Sequence, residues 1–178
     1  MTDVVTLEVE QGVATITLNR PEQMNAINYD LLMALTEQVS KVAGDPEVRA
    51  VILTGAGKCF CAGGDVKQGA RPPAEKLPKR AGAEPRSAYL RRGAEASRLL
   101  HEMPKPTIAM INGPVVGGGI GMIAACDLRF AGPGASFLTG YDRIGGSGDY
   151  GSTWHWTRIL GSAKARELFF LGEKFSAS

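Results

Sequence analysis

The sequence predicts an α/β fold with a largely parallel sheet, and three observations carry that prediction. Apolar and polar residues alternate near the N-terminus, as in strands, and apolar residues then recur at helical spacing from Asn28 onward. Two short apolar runs, "RAVILTG" and "TIAMIN", are bounded by turn residues, as strands covered on both faces are. Helical segments separate these runs, and strand–helix–strand order implies right-handed β-α-β crossovers.

"VTLEVEQGVATITLNR" reads as a β-hairpin, residues 5–10 and 13–19, turning at Gln11-Gly12. Pro21 has no N–H to give a ladder and stops the second strand. Leu32, Leu35, Val39 and Val42 then share one helical face, with Asn28 as N-cap and Gly44 and Pro46 as the stop. After "RAVILTG" comes a glycine-rich loop, 55–64. Residues 66–86 carry four prolines and many charges without an apolar period, and read as a mobile excursion with room for a broken helix. A helix resumes over 87–103, with Leu90, Ala94, Ser97 and His101 at steps of three and four. Pro104 and Pro106 lead into "TIAMIN". A helix opened by "VVGGGIGM" follows, then "DLRFAG" as a strand. "GSTWHWTRIL" and "SAKARELFFL" read as two helices meeting at Gly161.

At 178 residues the chain suits one domain. Its 44% hydrophobic and 21% charged composition is that of an ordinary globular protein. A net charge of +2 gives no reason to expect nucleic acid or an anionic membrane as partner. No signal peptide is visible, and no run approaches the roughly 18 apolar residues of a membrane span. Cys59, Cys61 and Cys126 cannot all pair with one another, so reduced thiols and a cytoplasmic location are expected. Cys59-Phe60-Cys61 lacks a second ligand pair, so no metal is expected.

The glycines of "VVGGGIGM" stand where a helix begins, and first-turn N–H groups have no internal partner. Phosphate binding is one use of such donors, but Gly117, Gly119 and Met122 fail G-x-G-x-x-G and no P-loop lysine follows. An oxyanion hole is the other, and it wants two N–H groups aimed at one developing charge. "GKCFCAGGDVK" supplies a second loop of small residues. The competing explanation is that both glycine runs only make tight turns and close packing.

"LNRPEQMNAIN", "FCAGGD" and "KPTIAMINGPVVGGGIGMIAACDLRFA" together resemble the enoyl-CoA hydratase/isomerase family, the crotonase superfamily, over nearly the whole chain. The resemblance implies a spiral of repeated β-β-α units, one core domain over 1–178 with 66–86 as a variable loop. It also implies a coenzyme A thioester as substrate, with no bound cofactor. Two backbone N–H groups, at Gly64 and Gly118, would hold the thioester oxygen. Met24, Ala26, Ile27, Ala62, Gly63, Asp65 and Gly117 would line the coenzyme A path. Family members assemble as trimers or hexamers through C-terminal helices that are missing here, so a homotrimer or hexamer is expected of the full-length protein.

The sequence departs from the family's hydratases at both of their glutamates. Gly121 stands at one place and Tyr141 at the other. Asp149, in "GGSGDYGSTW", matches the aspartate of the family's isomerases and aryl-CoA dehalogenases. The favoured reaction is therefore double-bond isomerisation with Asp149 as proton shuttle. Hydration through other groups, hydrolysis or dehalogenase-type chemistry at Asp149, and an inactive acyl-CoA-binding relic are the alternatives. Asp149 could instead cap the following helix through the N–H of Gly151 or Ser152. Tyr141 could bond substrate, wall the pocket or pack in the core. Asp142 is a weaker carboxylate that Arg143 would pair. His101 is expected at the surface, and His155 between two tryptophans is a minor candidate for the pocket.

Overall fold

The hairpin closes through two left-handed residues, Gln11 at φ 50° and Gly12 at φ 80°, the conformation whose twist suits tight antiparallel turns. In this computed structural model, which describes residues 3–65 and 84–177, β1 (Val5–Glu10) and β2 (Val13–Leu18) pair with Val5 opposite Leu18. Asn28 then caps α1 (Tyr29–Gly44), its side chain accepting from the Leu31 N–H at 2.9 Å. Leu31, Leu32, Leu35, Val39 and Val42 are buried on the face that periodicity marks. From α1 the chain returns as β3 (Ala50–Gly55), parallel to β2.

Helix α2 (Glu84–Glu102) begins three residues before the expected start. Pro85 falls in its first turn, where a missing N–H costs nothing. The excursion expected over 66–86 lies outside the described residues as far as 83, and so does the side chain of Leu90. Strands β4 (Thr107–Ile111) and β6 (Leu128–Ala131) complete a sheet of order β1-β2-β3-β4-β6. β4 is not covered on both faces as "TIAMIN" suggested. Met110 on β4, with Leu128 and Phe130 on β6, stays exposed, because only one face of this half of the sheet is packed.

A second layer of very short strands runs beside the first. β5 (Val115–Val116) pairs parallel with β7 (Ser136–Leu138), and β8 (Phe175–Ser176) pairs antiparallel with β7. Isolated parallel bridges, Ile27 with Gly64 and Cys61 with Val115, extend the same layer. β1-β2-α1, β4-β5-α3 (Gly118–Ala125) and β6-β7-α4 (Ser152–Leu171) are thus turns of one β-β-α spiral. In the turn between the first two, the bridge at Cys61 takes the place of the second strand. α4 is broken at Gly161 (φ 77°, ψ 161°), where the sequence places the meeting of two helices. It docks on α3 through Trp156, whose ring N–H donates to the Ile120 carbonyl at 3.1 Å.

The loop after β2 is tied to the loop after β3 by buried polar groups. The Asn25 amide, fully buried, donates to the carbonyls of Ala56 and Cys59 at 2.9 and 2.7 Å. The Arg20 guanidinium donates to the Ala26 carbonyl at 2.5 Å and pairs with Asp65 at 3.1 Å, and both charged side chains are less than 10% exposed. Removing one partner of such a pair leaves the other as an uncompensated buried charge. Arg20→Ala should therefore cost roughly 3–5 kcal/mol in urea denaturation, whereas Arg20→Met combined with Asp65→Leu should recover most of it.

Candidate active site

The spiral brings the two glycine loops into contact. Gly63 (φ 86°) and Gly117 (φ 50°) both take left-handed backbone, which glycine adopts freely. A Cβ on either would stand 3.7 Å from the Cα of the other, and one on Gly63 would also meet the Val116 carbonyl at 3.1 Å. The residues that follow them, Gly64 and Gly118, are the two expected N–H donors. Neither donates to a backbone acceptor among the described residues. Gly118 is the first residue of α3 and so has no intrahelical acceptor. Gly64 is exposed, with open space where a side chain would be.

The 24–27 segment runs alongside the first of these loops. The Ala62 N–H donates to the Met24 carbonyl, the Ile27 N–H to Gly63, and the Asp65 N–H to Ile27, at 2.7–3.0 Å. Met24, Ala26, Ile27, Ala62, Gly63 and Asp65 are therefore neighbours. They differ in access: Met24 is exposed, Ala26 and Ala62 are half-buried, and Ile27 is fully buried. Asp65 spends its carboxylate on Arg20.

Gly121 does not leave a hole. A Cβ there would lie 2.9 Å from the carbonyl oxygen of Asp149 and 3.0 Å from the Cβ and carbonyl oxygen of Tyr150. The backbone of 149–150 fills the place that a larger residue on α3 would need. This packing sets Asp149 beside the glycine helix. Its carboxylate accepts a hydrogen bond from the Tyr141 hydroxyl. It does not cap α4, whose N-cap is Gly151 without a side-chain bond; only its carbonyl is engaged there, by the Ser152 N–H at 2.9 Å. Tyr141 is itself 5% exposed and stacks on Phe169, ring centroids 5.9 Å apart.

Electrostatics follow from that geometry. The Asp149 residue is open to solvent, but protein atoms crowd its carboxyl group, and this desolvation raises its pKa above 3.8 against the pull of the Tyr141 hydrogen bond. Burial, then the adjacent Asp149 charge and its hydrogen bond, push the Tyr141 phenol upward, so it stays a protonated donor. Cys61 lies under Gly119, its Sγ 3.2 Å from where a Cβ would stand. Burial, with smaller contributions from Cys59 and Asp149, pushes its thiol up to about 12, so it remains neutral.

Other candidates fall elsewhere. Asp142 makes no ion pair with Arg143 among the described residues; its carboxyl lies against Gly172, at the end of α4. His155 is 7% exposed and meets His101 edge-on at 4.8 Å. Burial, then the charges of His101 and Arg158, lower its pKa to about 4. Both histidines line a cavity of about 230 Å³ between α2 and α4. The three cysteines are free and buried. Among the described residues no group of three His, Cys, Asp or Glu could hold a metal ion, and no helix is long and apolar enough to cross a membrane.

Three residues escaped sequence reasoning. Arg20 and Asn25 lie inside "LNRPEQMNAIN", where a polar run looks like ordinary loop. Tyr150 is hidden beside Asp149, and its only signal is a large aromatic in a glycine-rich stretch.

The chain is similar to proteins described as acyl-CoA enzymes. A family model described as enoyl-CoA hydratase/isomerase matches residues 8–178. A probable enoyl-CoA hydratase of Mycobacterium tuberculosis is 37% identical over 178 residues, covering 98% of this chain and 65% of the relative. The 1,2-epoxyphenylacetyl-CoA isomerase of Escherichia coli is 34% identical, covering 99% of this chain and 66% of the relative. A crystal structure of an enoyl-CoA hydratase/carnithine racemase from Magnetospirillum magneticum superposes with a TM-score of 0.85 at 34% identity, covering 99% of this chain and 64% of that one. The chain thus spans just under two thirds of the length of these proteins.

The close fit at Gly121 has a direct consequence. Gly121→Ala should lower stability by roughly 1–3 kcal/mol in urea denaturation, because backbone rather than a flexible side chain must move. Gly121→Glu should cost at least as much and confer no hydration of crotonyl-CoA.

Proposed function

The chain belongs to the enoyl-CoA hydratase/isomerase family, and we propose that it moves the double bond of an unsaturated acyl-CoA, with Asp149 as the base. The observation that carries this reading is the pairing of two facts at one place. The carboxylate of Asp149 is held by Tyr141, and the position on α3 where a second carboxylate would stand is filled by the backbone of 149–150. Syn-hydration needs one group to activate water and another to protonate carbon. Isomerisation needs only one that takes a proton and gives it back.

In this mechanism the N–H groups of Gly64 and Gly118 donate to the thioester oxygen. Donors that are already oriented favour the enolate over the neutral ester, since negative charge develops on that oxygen only as the proton leaves. Asp149 takes a proton from C2 of a 3-enoyl thioester. The electron pair spreads through a dienolate onto the oxygen, and the same carboxyl group returns the proton to C4. No atom is gained or lost. The raised pKa suits the carboxylate to this exchange, because a stronger base takes a carbon-bound proton more readily. The Tyr141 hydroxyl keeps the carboxylate in one orientation between the two steps. Met24, Ala26, Ala62 and Gly117 flank the coenzyme A moiety.

Asp149→Asn keeps an acceptor for Tyr141 but removes the base. Turnover of a 3-enoyl-CoA should fall by a factor of about 100 or more. In heavy-oxygen water the native product should keep the substrate's mass; incorporation of the label would favour hydration or hydrolysis instead. Activity should rise with pH through an apparent pKa above 3.8. Stability should move the other way. With its pKa raised in the folded state, Asp149 binds more protons folded than unfolded, so its ionisation destabilises the native chain as pH rises through that window. Asp149→Asn should therefore melt higher than the native chain at pH 7, and the difference should vanish below pH 3.8.

A further inference from the structure

Tyr150 has no part in that proton transfer, yet its backbone sits at φ 48°, a value that bulky side chains rarely adopt. Such a conformation persists only where the surroundings hold it. Here the ring is wedged between two helices at two glycines. Its Cε2 and Cδ2 lie 2.6 and 2.9 Å from where a Cβ on Gly118 would stand, with Ile27 Cδ1 at 2.8 Å beside them. The opposite edge, Cε1, is 3.6 Å from the corresponding point on Gly93 of α2. The ring therefore spans from the first residue of α3 to the middle of α2.

Behind it lies the cavity of about 230 Å³ between α2 and α4, lined by Ala94, Ser97, His101, Tyr150, Trp154 and His155 among others. The Ser97 hydroxyl is buried there and has no hydrogen-bond partner among the described residues. Arg98 and Glu102, both about half exposed, line the cavity too, and its volume exceeds the roughly 150 Å³ that suffices for benzene in an apolar site. Space for further acyl carbons thus exists next to Gly118, on the far side of one aromatic ring.

We propose that Tyr150 sets acyl selectivity: its ring ends the acyl path beside Gly118, confines the site to thioesters of short acyl groups, and shuts off the α2–α4 cavity. This rests on the reading that the thioester oxygen binds at Gly64 and Gly118. The backbone at 150 would suit glycine without strain, so Tyr150→Gly removes the partition and relieves φ together.

The test is calorimetric binding of crotonyl-CoA, 2-octenoyl-CoA and cinnamoyl-CoA to the chain and to Tyr150→Gly, with thermal melts of both. The native chain should prefer crotonyl-CoA. In Tyr150→Gly the affinity for each larger ester, relative to crotonyl-CoA, should rise at least tenfold. Adding Ser97→Leu, which fills the cavity, should reverse that gain. An unchanged ratio in a folded variant overturns the partition and leaves the proposed reaction standing. If no CoA ester binds either protein, the thioester-site reading itself fails, and the partition with it. Should Tyr150→Gly lose its cooperative melt, Tyr150→Ala must give the same shift in ratio; loss of folding in both makes the residue a structural wedge and refutes the proposal.

Discussion

The candidate site depends on two stretches of main chain that meet at glycines, where a side chain on Gly63 would crowd the Val116 carbonyl at 3.1 Å. Gly63 and Gly117 face each other so tightly that a methyl group on either would come into contact with the other's Cα. That approach comes from the spiral rather than from the loops. Each turn of the chain lays a one- to three-residue strand against the last, through Ile27 with Gly64, Cys61 with Val115, and Val116 with Leu138. Parallel pairing sets neighbouring backbones about 5 Å apart. Successive strand ends then emerge side by side, and the N–H groups of Gly64 and Gly118 at those ends have no backbone acceptor among the described residues.

Close backbone approach also explains how charge is distributed around the site. The Arg20–Asp65 pair is buried where it braces the loop carrying Gly64, and its partners' hydrogen bonds offset the cost of desolvation. Asp149 has no such cation among the described residues. Its compensation is the neutral Tyr141 hydroxyl and its own backbone N–H, so desolvation dominates and its pKa rises. Two aspartates thus stand near the same pair of glycine loops in different settings: Asp65 ion-paired with Arg20, and Asp149 held by the Tyr141 hydroxyl with its pKa raised.

Much of this was legible in the sequence, for identifiable reasons. The hairpin, α1 and the break at Gly161 follow from alternation, from an apolar stripe with an Asn cap, and from a glycine that helical backbone disfavours. Asp149 and the glycine pairs came from motif position. What stayed hidden is what periodicity cannot encode. β5, β7 and β8 are two or three residues long, too short for alternation to register. The exposed side of β4 and β6 depends on which helices cover the sheet, and an apolar run does not reveal that. Gly121 looked like a missing carboxylate, and only the packing reveals that the 149–150 backbone occupies its place. Asn25 and Arg20 read as loop polarity because their acceptors, Ala56 and Cys59 for one and Ala26 and Asp65 for the other, lie up to 45 residues away.

The position of Asp149 is consequently a property of a loop and its supports, the glycine helix on which 149–150 pack among them. Gly145, Gly148, Tyr150 and Gly151 all have positive φ, so no regular ladder holds this segment. Its order comes from its two ends and from the packing of 149–150 against Gly118, Gly121 and Gly93. Tyr141 is pinned by stacking on Phe169, and α4 is pinned to α3 by Trp156 on Ile120, both contacts lying on the helix that the loop leads into. Displacing α4 would move Asp149 relative to Gly118 without touching either residue. A carboxylate mounted on α3 at 121 would instead share the rigidity of the helix that carries Gly118. In this chain the carboxylate near α3, that of Asp149, stands on the loop instead. The glycine that makes room for the loop is what excludes the second carboxylate, so the two features are one structural choice.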